Sequence, residues 1–175
     1  MHGDKVMNSR RGLLTCLGVC GALAGASALL PSRRSASAAV ATVGERFKVE
    51  RTDAEWRRLL TPAQFAVLRG HGTERAGSSP LDGEKRRGTF ACAGCGRPAF
   101  TSNAKFDSGT GWPSFSRPLD GAVGTRTDRS FLMARTEVHC AQCGGHLGHV
   151  FDDGPPPTGK RFCMNGVALA FEAAS

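Results

Sequence analysis

A chain of 175 residues with 40% hydrophobic and 22% charged residues suits one folded domain with its own core plus a short leader. The formal charge of +8 divides unevenly: residues 1–38 carry five bases and one acid, so the other 18 bases and 14 acids leave the remainder at only +4. That excess is too small to argue for nucleic acid, and no nucleic-acid partner is expected.

At the N-terminus, Arg10-Arg11 sits directly before a weakly apolar run from Leu13 to Leu30, and Ala36-Ser37-Ala38 offers a small-residue cleavage site. Residues 1–38 read as an export signal resembling the twin-arginine type, followed by a linker over 39–46. The many glycines and alanines make the run a weak candidate for a membrane span. A retained N-terminal anchor and an unstructured leader are the competing readings. The expectation is an exported, periplasmic or otherwise extracytoplasmic monomer with no stable membrane association after cleavage.

Two short helices should open the domain proper. Thr52 and Glu55 have capping-box spacing, with Trp56, Leu59 and Leu60 as the buried stripe. Thr61-Pro62 restarts the pattern, Thr61 as N-cap and Gln64 closing a second box, and Phe65 and Leu68 extend the apolar face until Gly70. Gly77-Ser78-Ser79-Pro80 reads as a loop. After Gly88, short apolar runs alternate with Gly, Pro, Asp and Asn. The expected strands are Thr89 to Cys92, Phe131 to Val138, Val150-Phe151 and Val167 to Phe171. No helical period persists there, so the body is expected to be mainly antiparallel β.

Five cysteines fall in that body. Cys92-Ala93-Gly94-Cys95 and Cys140-Ala141-Gln142-Cys143 are two C-x-x-C units with 44 residues between them, and Cys163 stands alone; Cys16 and Cys20 lie in the leader. Each C-x-x-C lets two thiolates meet one tetrahedral ion, and glycines at 94, 96, 144 and 145 leave backbone N–H groups free to turn toward sulfur. Four thiolates leave no open position, so one Zn2+ per chain would be structural. Two disulfides are the alternative, weakened because so short a loop constrains little.

Cys163, within Arg161-Phe162-Cys163-Met164-Asn165, admits two readings. It is a small buried hydrophobe, or a reactive thiol whose pKa Arg161 lowers and beside which Asn165 offers an amide. His146 and His149 lie three apart in a glycine-rich stretch. They read as proton donors or positioning groups beside a thiolate, as a metal pair, or as histidines bonded within a turn. Trp112, between Gly111 and Pro113, is either an apolar pocket wall or a core anchor.

Taken together, these segments resemble the methionine-R-sulfoxide reductase family over nearly all of residues 47–172. The likeness is carried by Leu60-Thr61-Pro62, Gly72-Thr73-Glu74-Arg75, Phe106 to Phe115, Arg135-Thr136-Glu137-Val138, His146 to Gly159 and Arg161 to Asn165. The run from Gly145 to Gly159 followed by Arg161-Phe162-Cys163 is highly specific. The resemblance implies a β-tent-like fold of two antiparallel sheets with short N-terminal helices, and a structural zinc on Cys92, Cys95, Cys140 and Cys143. It implies repair of oxidised proteins and peptides: Cys163 attacks the sulfur of methionine-R-sulfoxide, giving methionine and a Cys163 sulfenic acid. By the same resemblance His146 and His149 bind and protonate the sulfoxide oxygen, Trp112 packs on the substrate methyl group, and Arg161 and Asn165 position the reacting centre. A thioredoxin-like protein or another external thiol then regenerates Cys163.

The chain departs from the family pattern in three places. Thr110 stands where many members carry a recycling cysteine, Gly166 where a serine is common, and Arg75-Ala76-Gly77-Ser78 lacks the usual aromatic beside the cleft. The first leaves no free cysteine in the domain to pair with Cys163 once four bind zinc. Two other classes compete. A zinc-ribbon binding module gives no reason for Cys163 or the histidine pair, and a thiol-disulfide oxidoreductase cycling one C-x-x-C would be separated by its zinc stoichiometry.

Overall fold

The computed structural model describes residues 46–130 and 133–175. The export signal expected over 1–38 and all but the last residue of the 39–46 linker lie outside the described residues. Among the described residues, no helix is long and apolar enough to cross a membrane.

Helices α1 (Asp53–Leu59) and α2 (Pro62–Leu68) begin where the capping boxes place them. The Thr52 and Thr61 side chains accept from the amides of Glu55 and Gln64, whose own side chains bond back to the cap amides. Thr61 precedes a proline and is extended, which separates the two helices. Trp56 and Leu60 are buried as expected, but Leu59 is 60% exposed. Leu60 is the C-cap of α1 and already extended, so the chain leaves the helix there and buries Leu60 rather than Leu59. On α2 the buried pair is Val67 and Leu68, while Phe65 is half-buried under the Arg57 guanidinium.

Nine strands follow among the described residues: β1 (Gly88–Cys92), β2 (Pro98–Thr101), β3 (Lys105–Phe106), β4 (Ser114–Phe115), β5 (Val123–Asp128), β6 (Arg135–Cys140), β7 (His146–Phe151), β8 (Arg161–Met164) and β9 (Leu169–Ala173). All pair antiparallel, in a three-stranded sheet ordered β2-β1-β9 and a six-stranded sheet ordered β3-β4-β8-β7-β6-β5. The mainly-β, two-sheet expectation holds, with several boundaries moved. The strand expected from Phe131 begins at Arg135 instead and runs on to Cys140, with Met133 outside it and 61% exposed. Val150-Phe151 is only the end of β7, and Val167 belongs to a 3-10 turn, Gly166–Ala168, ahead of β9.

Phenylalanines fill the space between the sheets. Phe90, Phe100 and Phe115 are fully buried; Phe100 stacks on Phe115 at 4.4 Å between centroids, and Phe90 meets Phe115 edge-on at 5.0 Å. Such pairs add about 0.5–1.5 kcal/mol each beyond the area they bury. Trp56 and Leu68 lie against Gly94, and Leu68 also against Gly145, so the two helices cover the paired C-x-x-C turns.

Candidate active site

One register line crosses the larger sheet and gathers most of the chemistry. Arg126 on β5 lies opposite Glu137 on β6, Glu137 opposite His149 on β7, His149 opposite Cys163 on β8, and Cys163 opposite Ser114 on β4. Directly opposed residues in antiparallel strands share a face, with Cβ atoms about 4.5–5.5 Å apart. The fold therefore places a thiol, an imidazole and a carboxylate side by side from three consecutive strands.

His146 reaches this group through an irregularity. Three residues along a regular strand, His146 and His149 would point to opposite faces. The β6–β7 register runs Val138↔Gly148 and then His139↔His146, which leaves Leu147 as an extra residue. Such a bulge re-aims side chains, and the two rings lie 5.2 Å apart. The Leu147 carbonyl accepts from both the backbone amide (2.8 Å) and the side-chain amide (3.2 Å) of Asn165. Both histidines are thus strand residues, not turn residues. Gly148 permits the close approach of β7 to β8, since a Cβ there would sit 2.2 Å from the Cys163 carbonyl.

Each histidine is held by a carboxylate. His146 Nδ1 lies 2.7 Å from Glu137 Oε1, and His149 Nε2 lies 2.8 Å from Asp128 Oδ2. Burial pushes Glu137 up, but hydrogen bonds from His146, His71 and Arg126 outweigh it and hold the carboxyl well below its usual range. Asp128 is held down chiefly by the Ser130 amide and hydroxyl, with His149 adding to them. Both acids therefore stay charged, which puts the imidazole proton on Nδ1 of His146 and on Nε2 of His149. Burial lowers the His149 pKa against the raising effect of Asp128, so this ring is neutral near pH 7.

Cys163 is half-buried and free. Burial raises its thiol pKa; the Arg161 charge, Thr110 and Ser114 all pull the other way, and burial wins. Arg161 pulls this pKa down, as expected, but burial outweighs it. Arg161 is occupied by a bidentate pair with Asp153, at 2.8 and 2.7 Å, and its guanidinium lies over Phe151. On the other side stands a hydroxyl chain: Ser114 to Ser108 at 2.8 Å, Ser108 to Thr110 at 2.8 Å, and Thr110 Oγ1 4.0 Å from the Cys163 sulfur.

A cleft of about 130 Å³ opens at the thiol, lined by Thr73, Trp112, Arg135, His149, Cys163 and Asn165 among others. Trp112 is half-buried and lines this cleft. Its indole donates to the Glu74 carbonyl at 3.1 Å, while Gly111, at φ 84°, accepts from the Gly77 amide at 2.7 Å. Asn165 Oδ1 accepts from the Glu74 amide at 2.9 Å, so its side chain is spent on the backbone and does not bond the sulfur. His146 and Arg161 do not line the cleft; they touch its chemistry through Glu137 and through charge. A larger groove of about 830 Å³ lies between α2, the Ser79–Leu81 loop and Phe171, away from the thiol.

Glu74 is the residue that sequence reasoning missed most clearly. Its backbone holds Trp112 and Asn165, and its carboxylate accepts from the amides of Gly166 and Val167, the latter at 3.0 Å. Its segment carries the resemblance, but no role could be read for it because every partner is distant in the chain. Gly166 also gains a reason: a Cβ there would stand 2.0 Å from Ser79 Oγ, so Ser79 occupies the room a serine at 166 would need. At Gly77, φ is 71° and a Cβ would meet nothing within 4 Å, so the missing aromatic leaves open space.

The four cysteines converge as their spacing requires. Cys92 and Cys143 sulfurs lie 3.7 Å apart and Cys95 and Cys140 sulfurs 3.5 Å apart, with all four within 4.8 Å. A tetrahedral shell with metal–sulfur bonds of about 2.3 Å needs sulfurs roughly 3.8 Å apart, so the set could hold a metal ion. The two turns are built alike: the Gly96 amide donates to Cys92 O and the Gly144 amide to Cys140 O, with φ of 72° and 68° at the two glycines. No disulfide joins these cysteines.

The SelR domain family matches residues 60–173. The chain is 52% identical over 126 residues to the peptide methionine sulfoxide reductase MsrB of Agrobacterium fabrum, an alignment covering 71% of this chain and 93% of that protein. It is 54% identical over 126 residues to the protein of the same name from Bradyrhizobium diazoefficiens, covering 71% and 91%. With the one from Leptospira interrogans it is 48% identical over 127 residues, covering 72% and 97%.

Proposed function

Because this chain belongs to the SelR domain family and is a peptide methionine sulfoxide reductase, we propose that it reduces the R epimer of methionine sulfoxide in oxidised proteins and peptides, with Cys163 as nucleophile. The observation that carries this reading is the register line that sets Cys163 directly opposite His149 at a cleft walled by Trp112.

The Cys163 thiolate attacks the sulfoxide sulfur. A sulfur–sulfur bond forms while a proton taken up from solvent through the histidine pair neutralises the oxygen; the sulfur–oxygen and sulfur–sulfur bonds of the adduct then break as oxygen passes to the Cys163 sulfur. The substrate sulfur gains two electrons and leaves as methionine; the Cys163 sulfur loses two and becomes a sulfenic acid. His149, at the cleft, and His146, anchored by Glu137, take up that proton from solvent on the ring nitrogens turned away from their carboxylates and pass it on. Trp112 presents the apolar wall that takes the methyl group, and the Arg161 charge partly offsets the cost of ionising a half-buried thiol. Asn165 positions the segment after Cys163.

Thr110 offers a hydroxyl where a second thiol would be needed for an internal disulfide. Regeneration therefore consumes two thiols of an external, thioredoxin-like reductant, which leaves as a disulfide while the oxygen departs as water. Cys92, Cys95, Cys140 and Cys143 would hold one structural Zn2+, tying the end of β1 to the end of β6, and four thiolates would leave it no open position for chemistry. Residues 1–38, with Arg10-Arg11 before their apolar run, direct the chain out of the cytoplasm.

Single-turnover reduction of the two sulfoxide epimers tests this, wild type against Cys163→Ser. Methionine released from the R epimer alone, and lost in the variant, is expected. Turnover of the S epimer, or a Cys163→Ser protein that still yields methionine, would sink the assignment.

A further inference from the structure

We propose that His71, Glu137 and His146 form a second, inhibitory site for a borderline divalent cation such as Zn2+ or Cu2+. His71 Nδ1 lies 3.1 Å and His146 Nδ1 2.7 Å from the same Glu137 Oε1, and the three donor atoms all lie within 4.8 Å of one another. Two imidazoles and one carboxylate suit these ions and leave positions for water. The donors come from three separate places, the turn after α2, strand β6 and the bulged start of β7. Their convergence is therefore a tertiary arrangement and not the by-product of one strand or helix face.

The backbone at His71 points the same way. Its φ is 55°, in the left-handed region that non-glycine residues seldom occupy. Glycine flanks it on both sides, and a Cβ at Gly70 or Gly72 would stand 2.7 or 2.9 Å from the Ala66 carbonyl. The chain thus turns tightly around the end of α2 and carries the imidazole onto Glu137. A glycine at 71 would take this backbone without strain, so a histidine held there is an outlier that invites a functional reading. His71 is 52% exposed while Glu137 and His146 are 4% and 2% exposed, which combines a route from solvent with two buried donors.

Arg126 pairs with both Glu137 oxygens, Nε with Oε2 and Nη2 with Oε1 at 3.2 Å, so a cation at Oε1 shares that oxygen with the guanidinium. Its positive charge opposes a second cation nearby, so this site is weaker than one made of four thiolates. A cation on His146 Nδ1 shifts the proton that now faces Glu137 to Nε2 and prevents the ring from taking up a second one, so it can no longer relay a proton. That inhibitory consequence rests on the role proposed for His146; the binding does not.

The test uses the full chain with its four-cysteine site loaded, in a Cys163→Ser background that removes a competing thiolate. Equilibrium dialysis against Zn2+ alone compares this protein with its His71→Asn derivative, chosen because Asn tolerates the left-handed backbone. The derivative should bind one zinc fewer per chain, or that zinc with an affinity lowered by at least the roughly 10-fold that even indirect partners of a metal ligand are worth. In the protein with Cys163 intact, Zn2+ should slow single-turnover reduction, and His71→Asn should raise the inhibitory concentration by a similar factor. Equal zinc binding by the two dialysed proteins overturns the site, whatever the activity measurements show. Inhibition unchanged by His71→Asn would put the ion on the Cys163 sulfur and overturn the inhibitory role.

Discussion

Replacing Gly166 with serine, the residue common at that place in the family, should be harmful in this chain. A Cβ on residue 166 would lie 2.0 Å from Ser79 Oγ and 2.4 Å from Ser79 Cβ, and 3.3 Å from Glu74 Oε1. Ordinary contact begins near 3.4 Å, so Ser79 has to retreat by more than 1 Å, and its hydrogen bond from the Leu81 amide goes with it. Overpacking of this kind costs about 1–3 kcal/mol. At roughly 4 °C per kcal/mol for a domain of this size, the melting temperature should fall by about 4–12 °C. The damage should also reach the chemistry, because Glu74 accepts from Gly166 and Val167 while its backbone holds Trp112 and Asn165. A displacement of about 1 Å in such a strap can lower kcat/KM up to about 100-fold. The assay is a double-mutant cycle: Gly166→Ser, Ser79→Gly and the pair, each measured by urea denaturation and by kcat/KM on a methionine sulfoxide peptide. Ser79→Gly empties the space the new Cβ needs, so the pair should recover about 1 kcal/mol or more relative to additivity. A Gly166→Ser protein as stable and active as wild type, or strict additivity in the cycle, would refute the packing argument.

Three further outcomes are expected. Cys140→Ser should lose the bound metal, from one zinc per chain to none by elemental analysis, and melt far below wild type; a variant that keeps its zinc contradicts the four-cysteine shell. Because burial holds the Cys163 thiol above its ordinary pKa, the single-turnover rate should climb with pH as the thiolate forms, and Arg161→Met, which removes the main lowering influence, should move that rise to higher pH; a limb that stays put denies Arg161 its electrostatic role. Thr110→Cys places a thiol where a hydroxyl now lies 4.0 Å from the Cys163 sulfur, so one turnover should leave a 110–163 disulfide, seen by mass spectrometry without reductant. A sulfenic acid that persists in that variant would count against direct reduction by external thiol being imposed by residue 110.

Much of this protein was legible in its residues because much of its signal is local. Each capping box closes over four residues, each C-x-x-C turn over five, and both form as their spacing demands. The mainly antiparallel body, the four-cysteine cluster and the separate status of Cys163 could be read the same way. Short polar strands such as β5, Val-Gly-Thr-Arg-Thr-Asp, could not, since they carry no alternation and exist because β6 offers partners.

The working site lies on the other side of that line. Asn165 and Glu74 meet across 91 residues, Thr110 and Cys163 across 53, and no periodicity reaches so far. A pattern with period two sends His146 and His149 to opposite faces; one extra residue, Leu147, reverses that. The sign of the Cys163 pKa shift depends on how deeply β8 is covered, which opposes the adjacent Arg161. Local hydrogen bonding set the turns and caps by itself, while strand register, decided only when distant segments pack, chose which thiol, imidazole and carboxylate would share a face.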